Sequence, residues 1–557
     1  LDSAGDVEQD VSVYGREAGF SYAVDGQFRR LDGQQPNGDL EEGLVSTQMQ
    51  QRLSDDDSLY LSILAQRSER GDVASYYDPL DSNRELRVLE KQVPHVFTGY
   101  HHEWSPESHT LALVGYLREQ FQMDQSRPEM YFVQQRDGDI VSIRSDPFVR
   151  LNLDSTYDLV SGEVQQIWSS PHHQVVGGVR VQGGQVDNAA QLTRSLSGVL
   201  SDELVSVPFG RASGYGYYQW SPVDWIRVGA GLSFDYLQSP QNSELPPLSD
   251  GEAYESQWSP KASLTLFPWT GGQVRAAYAQ SLGGLYFDNS VRLEPVQLAG
   301  FTQAFRSLIP ESVAGLVPGT SFGTAGVGFD QAFRTGTYFG VQAVRLASEG
   351  QREVGALTNE TPLPIPDGLM ILDQSLEFEE RTVGFYVNQL LSESWTLGIR
   401  GSWSEATLDT HYPGLPAGTP GLEDLGQEVT GRLGLLEFSL LYQHPRGWFA
   451  QWFTDYYHQE NLGYTPALPG DAFWQQNLFL GYRWPRQRVT ESAARCRAAG
   501  PLFVTPAELR GRASFSTRTS PRRSDSKPSS CGRNGWKPSG LWPGAWRTIS
   551  TARLHLC

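Results

Sequence analysis

Cysteine is almost missing from this chain. Its 557 residues hold three, Cys496, Cys531 and Cys557, and all of them lie beyond residue 490. The upstream region therefore offers no disulfide framework and no thiolate metal site, and it suits passage through an oxidising compartment without mispairing. Lysine is nearly as scarce there: Lys91 and Lys261 stand alone, and arginine carries almost all the positive charge. No apolar run approaches the ~18 residues that a membrane helix needs. With a mean hydropathy of −0.41, a helical membrane protein is excluded. A linker is missing as well, so residues 1–488 read as one domain, longer than a single soluble core usually grows.

Signatures of catalysis are also absent. The sequence has no Gly-x-Ser-x-Gly elbow, no phosphate-binding glycine loop and no metalloprotease helix. His101 and His102 are adjacent, as are His172 and His173. Neighbours on a strand point to opposite faces, so neither pair makes a simple metal site, and loop or girdle histidines are expected. Asp55, Asp56 and Asp57 lack the ligand alternation of an EF-hand and read as a solvated turn. The expectation is a protein that is not an enzyme and needs no cofactor or metal.

What is present is alternation. Ile226, Val228, Ala230, Leu232, Phe234 and Tyr236 share one face of a strand, while Arg227, Gly229, Gly231, Ser233 and Asp235 share the other. The pattern returns at 395–404, 436–443, 325–334 and 474–483. Runs of about ten residues closed by an aromatic and a turn are the mark of a transmembrane β-barrel. Trp104, Trp168, Trp220, Trp225, Trp269, Trp395, Trp448 and Trp484 adjoin turn residues, as an interfacial girdle requires. Short connections such as 221–224, 268–272 and 444–447 take turns with long acidic ones such as 238–255, 412–428 and 464–472. That is the asymmetry of periplasmic turns and external loops. A soluble sandwich, propeller or solenoid would also alternate, but would explain neither the girdle nor the loop lengths.

The expected fold is all-β: a large antiparallel transmembrane barrel with about nineteen strands between Val11 and Arg486, and about twenty or more when complete. A barrel that wide leaks unless something occupies its lumen. The expected location is the bacterial outer membrane. The surroundings are then outer-membrane lipid and lipopolysaccharide, with the barrel-assembly machinery as a partner and no nucleic acid.

The chain carries a net charge of −20, yet arginine outweighs the acids after Thr490. Residues 489–557 read as a disordered, low-complexity basic tail, of the composition a GC-rich gene gives out of frame. A start at Leu1, with no Met and no signal peptide, reads as the interior of a longer frame, truncated at its N-terminus.

Ser259–Ser281, SPKASLTLFPWTGGQVRAAYAQS, resembles the mid-barrel hairpin of TonB-dependent receptors, with its Ser-Pro-Lys strand, Pro-containing turn and Arg-x-x-Tyr-x-x-Ser strand. Ser290–Phe301, SVRLEPVQLAGF, followed by Phe305 and Arg306, resembles the barrel of outer-membrane proteins that carry tetratricopeptide repeats upstream. Gly447–Arg486 is similar to the penultimate region of both groups. In those groups an Asn-Leu-Thr-Asp motif and a strand with a terminal aromatic come next; here neither follows, and Cys557 is last. The first resemblance implies energised uptake, with the TonB complex engaged through a region upstream of Leu1. The second implies an export porin for a polysaccharide. A non-transporting adhesion or structural barrel is a third reading.

Arg227, Asp235, Arg275, Asp330, Arg334, Arg400, Glu437, Asp455 and Arg483 all fall on the polar phase and are expected to line the lumen. Such a wall passes a polar solute by successive weak contacts, or pairs its own charges across strands. Conductance is expected to depend on Arg227, Arg275 and Arg400.

Overall fold

The computed structural model describes residues 6–499, apart from 34, 74–81, 127, 129, 146–148, 195–197, 244, 285–291, 304–317, 362–364, 426–427, 464–466, 468–469 and 484–489. No helix among them is long and apolar enough to cross a membrane. Nearly everything described is one antiparallel sheet, wound in sequence order.

The wall starts with β1 (Val7–Glu17), β2 (Phe20–Leu31), β3 (Leu40–Arg52) and β4 (Asp57–Arg70), followed by β5 (Arg87–Ser105) and β6 (Ser108–Gln125). The hairpin of β7 (Tyr131–Arg136) and β8 (Asp139–Ser145) interrupts it. The wall resumes with β9 (Val149–Ser169), β10 (His173–Arg194), β11 (Gly198–Val223), β12 (Ile226–Pro240), β13 (Glu252–Leu266) and β14 (Gly272–Leu282). A second small hairpin follows, β15 (Gln297–Leu298) with β16 (Phe301–Thr302). Then come β17 (Ser321–Ala332), β18 (Thr337–Asn359), β19 (Gly368–Leu390) and β20 (Trp395–His411). The last strands are β21 (Glu428–Gln443), β22 (Trp448–Leu462), β23 (Asp471–Arg483) and β24 (Thr490–Ala499).

With the two hairpins set aside, nineteen described strands from β1 to β23 build the wall, as the alternation predicted. β24 is the twentieth, and it carries the sheet ten residues into the segment read as a basic tail. Residues 500–557 lie outside the described residues. β1 and β24 are the two edges, each with one described partner.

Turn chemistry sets the two ends of the wall. At one end the connections are tight: Ala18 and Gly19 (φ 44° and 86°) join β1 to β2, and Gly271, Gly336 and Gly447, all at positive φ, close later hairpins. Positive φ is cheap for glycine and costly for other residues. At the other end the strands run on into long loops.

Faces separate as the period of two dictates. Val228, Leu232, Val327, Val383 and Leu397 are exposed outward, whereas Ser233, Asp235 and Asp455 are buried inward. An uncovered apolar band backed by a polar interior is the reverse of a soluble sheet and is the arrangement of a wall standing in lipid. Trp104, Trp168, Trp220, Trp225, Trp269, Trp395 and Trp448 are all exposed at the tight-turn end. Trp484 lies outside the described residues. A second band of exposed aromatics sits nearer the loops: Trp258 lies tilted against Phe234, and Trp474 against Tyr456, with centroids 4.8 and 4.9 Å apart.

The mouth at the loop end has cores of its own. β7 crosses from the β6–β9 connection to lie parallel to the end of β18, Tyr131 against Ala356 and Gln134 against Asn359. Its alternating side chains enter two clusters. Met130 and Phe132 pack with Leu151, Leu192 and Leu357. Val133 packs with Ile143, Leu372 and Tyr412, and the Tyr412 hydroxyl donates to Tyr131 at 2.7 Å.

Candidate functional site

The inner wall is the candidate site, because inward polar phases from many strands converge there. Strand register threads one row around it: Asp330, Gly340, Tyr386, Arg400, Glu437, Asp455 and Gln475 are successive cross-strand partners. Four residues named from sequence therefore share a row. Arg400 donates to Glu437 at 2.7 Å. Asp455 accepts from the Asn477 amide at 3.2 Å. Asp330 accepts from Arg275 Nε and from the Tyr386 hydroxyl, both at 2.9 Å.

Higher on the wall, Arg211 forks onto Asp235 at 2.8 Å and onto the Leu282 carbonyl at 3.0 Å, while Ser213 donates to the same carboxylate. Arg227 lies on this inward phase, exposed near the tight-turn end. Arg483 is the last residue of β23, its guanidinium 5.9 Å from the Phe449 ring. Arg334 departs from expectation. It sits in the Phe333–Gly336 turn and not on a strand, because β17 ends at Ala332 and Phe333 N–H already closes the hairpin onto Thr337.

Sequence reasoning missed one group of buried charges. Glu163, Lys261, Arg292 and Glu294 form a cluster with Tyr215 and Tyr217. Arg292 and Glu294 belong to the described residues 292–303, which lie against Glu163 and Gln165 on the inner face of β9. Lys261 carried one signal, as one of two upstream lysines lying on the polar phase.

Among the described residues no group of three or more His, Cys, Asp or Glu is placed to hold a metal ion. His101 Nε2 meets His109 Nδ1 at 3.1 Å across β5 and β6, and its neighbour His102 turns the other way, onto Asp57. At the β3–β4 turn the Ser54 and Tyr100 hydroxyls also donate to the Asp57 carboxylate, both at 2.6 Å. Asp55 takes Arg52, so the acidic turn is spoken for by its own neighbours.

No protein-family model and no curated protein matches the sequence. Solved structures do match the fold. The copper transporter OprC superposes with a TM-score of 0.55 at 12% identity, over 87% of this chain and 71% of that one. The ferric yersiniabactin uptake receptor FyuA from Yersinia pestis gives 0.56 at 9%, over 86% and 71%. The ferric citrate transporter FecA in its unliganded form gives 0.55 at 10%, over 87% and 69%. The architecture is thus that of a large antiparallel β-barrel.

Proposed function

We propose that this chain is an outer-membrane transport barrel of the TonB-dependent receptor type, which takes up a polar metal complex. The observation that carries this reading is the continuous inward row from Asp330 to Gln475, lined by Arg400, Glu437 and Asp455, behind an outward apolar band and two bands of exposed aromatics. A wall of this kind has a wet, charged interior to offer a solute and a dry exterior to offer lipid. The likeness to OprC, FyuA and FecA supports the choice of a metal or metal chelate as cargo. In this reading the outward face meets outer-membrane lipid and lipopolysaccharide, the barrel-assembly machinery inserts the wall, and the TonB complex supplies energy.

Export of a polysaccharide is the second reading. It rests on the segment 290–301, and the structures compared above give it no support. The deciding experiment expresses the protein in a Gram-negative strain without its own chelate receptors. Accumulation of labelled iron or copper chelate that stops when TonB is removed supports uptake. Retention of chelate outside the cell, with polysaccharide appearing in the medium, overturns it.

A further inference from the structure

The connection between β14 and β17 does more than join two strands. β14 reaches the loop end at Leu282, yet Ala299 and Phe301 lie beside Arg275, seven residues back down that strand. At about 3.3 Å per residue, Arg275 lies roughly 23 Å along the strand from Leu282. The described residues 292–303 form an arm on the inner side of the wall, and they overlap the segment 290–301 whose resemblance the uptake reading left unused.

Three anchor points hold the arm. At the first, Glu163 of β9 accepts the backbone N–H groups of Leu293 and Glu294, at 2.9 and 3.0 Å, together with the Tyr215 hydroxyl at 2.7 Å. Gln165 beside it donates to the Leu293 carbonyl at 2.6 Å. At the second, Glu294 takes the Tyr217 hydroxyl at 2.6 Å and lies between Arg292 and Lys261, 3.6 and 4.0 Å away. At the third, Arg275 donates to the Ala299 carbonyl at 3.2 Å, and Phe301 lies under its guanidinium at 5.2 Å. The Phe301 ring fills a slot left by Gly326 and Gly328, where any side chain at Gly326 would collide with it.

We propose that residues 292–303 are a resident gate: an arm of the wall itself that narrows the lumen and opens when its charged anchors let go. The chemistry of the anchors is the reason. A brace meant only to stiffen the wall is held most cheaply by apolar contacts, because burying charged groups carries a desolvation cost that their mutual attraction only partly repays. Here two carboxylates, one lysine and two arginines are buried or partly buried against a compartment that is otherwise wet. On release these groups regain water, so the open state is reachable in a way that a dry apolar seam would not permit. One slot and three polar clasps give two discrete states, which is what a gate requires. The inference goes beyond the transport reading and holds for uptake or export alike.

The test is single-channel recording in planar bilayers with the full chain. Glu163→Gln combined with Glu294→Gln weakens two anchors without adding charge, and a tenfold or greater rise in open probability over the parent is expected. Phe301→Cys with Gly326→Cys, in a background where Cys496, Cys531 and Cys557 are Ser, locks the third; openings should vanish on oxidation and return with dithiothreitol. A third variant, with residues 292–303 replaced by a short Gly/Ser linker, should conduct continuously. Unboiled gel mobility reports that each variant keeps a folded barrel. Equal conductance in the parent, the anchor double variant and the linker variant, all folded, overturns the gate. Chelate accumulation in cells is scored separately: gating without accumulation sinks the uptake reading and leaves the gate standing, and the converse leaves uptake and removes the gate.

Discussion

Tyr386 lays its ring across Gly340 and donates its hydroxyl to Asp330, two strands away, at 2.9 Å. Gly340 is the cross-strand partner of both residues, and a Cβ there would strike the ring. Tyr215 repeats the device over Gly178 to reach Glu163, and Tyr217 lies against Gly231 on its way to Glu294. Aromatic cover of a strand glycine is a known way to pin register; here each ring also delivers a hydroxyl to an inward carboxylate. Gly340→Ala should therefore displace Tyr386 and cost about 1.5–3 kcal/mol, the range for a hydrogen bond to a charged group. Tyr386→Phe, which keeps the ring and removes the hydroxyl, should cost no more than that. Urea midpoints of the barrel in detergent micelles check this, and two midpoints unchanged from the parent would show that the bridge carries no stability.

Arg211 and Asp235 are both nearly inaccessible, at 3% and 7% side-chain exposure, and 2.8 Å apart. Asp235→Ala removes the carboxylate that the buried guanidinium faces and should cost about 3–5 kcal/mol. The double replacement Arg211→Met with Asp235→Leu removes both charges and should recover most of that loss. A double variant no more stable than Asp235→Ala alone would contradict the attribution of that loss to a stranded guanidinium.

The strand phase was legible because it needs only a period of two. The inward set 227–235 and the outward set 226–236 fall where the alternation put them, as do the exposed tryptophans beside tight turns. Features that depend on which inward residue meets which distant segment were not legible. The β1–β2 hairpin depends on Ala18 and Gly19 at positive φ, a conformation that alternation does not encode. Arg334 keeps the polar phase on paper while the chain has already turned. Glu163 and Lys261 look like any other lumen charge until the arm is seen to lie against them, since no local pattern in 290–301 says that a loop between two strands will lie on the inner side of the wall. β7 likewise owes its place to partners in β18, more than two hundred residues away.

Ion selectivity should follow the inward arginines. Arg227 and Arg400 both face the lumen, and Arg275 is left intact because it also holds the arm. Arg227→Ala with Arg400→Ala removes two positive charges from a wall that already carries Glu437 and Asp455, so the reversal potential in a KCl gradient should move toward that of potassium. No movement would mean that the conducting path runs elsewhere.

A last prediction separates the two faces of the wall by a single register step. Val327 and its partner Ala343 are on the outward phase, with Val327 57% exposed. Gln342, one residue along, pairs with Gly328, whose inner side looks onto Arg275 and Phe301. Arginine on the lipid face of a barrel costs about 2–4 kcal/mol at mid-depth, while a lumen position tolerates it. Val327→Arg should therefore lower folding stability in lipid vesicles by that amount, and Gln342→Arg should cost clearly less, because a wet lumen position tolerates the charge. Because neighbouring strand residues always face opposite ways, equal costs at the two positions would be incompatible with a wall that has lipid on one side and water on the other. A larger cost at Gln342 would reverse the assignment of inside and outside, and with it the placement of the arm in the lumen.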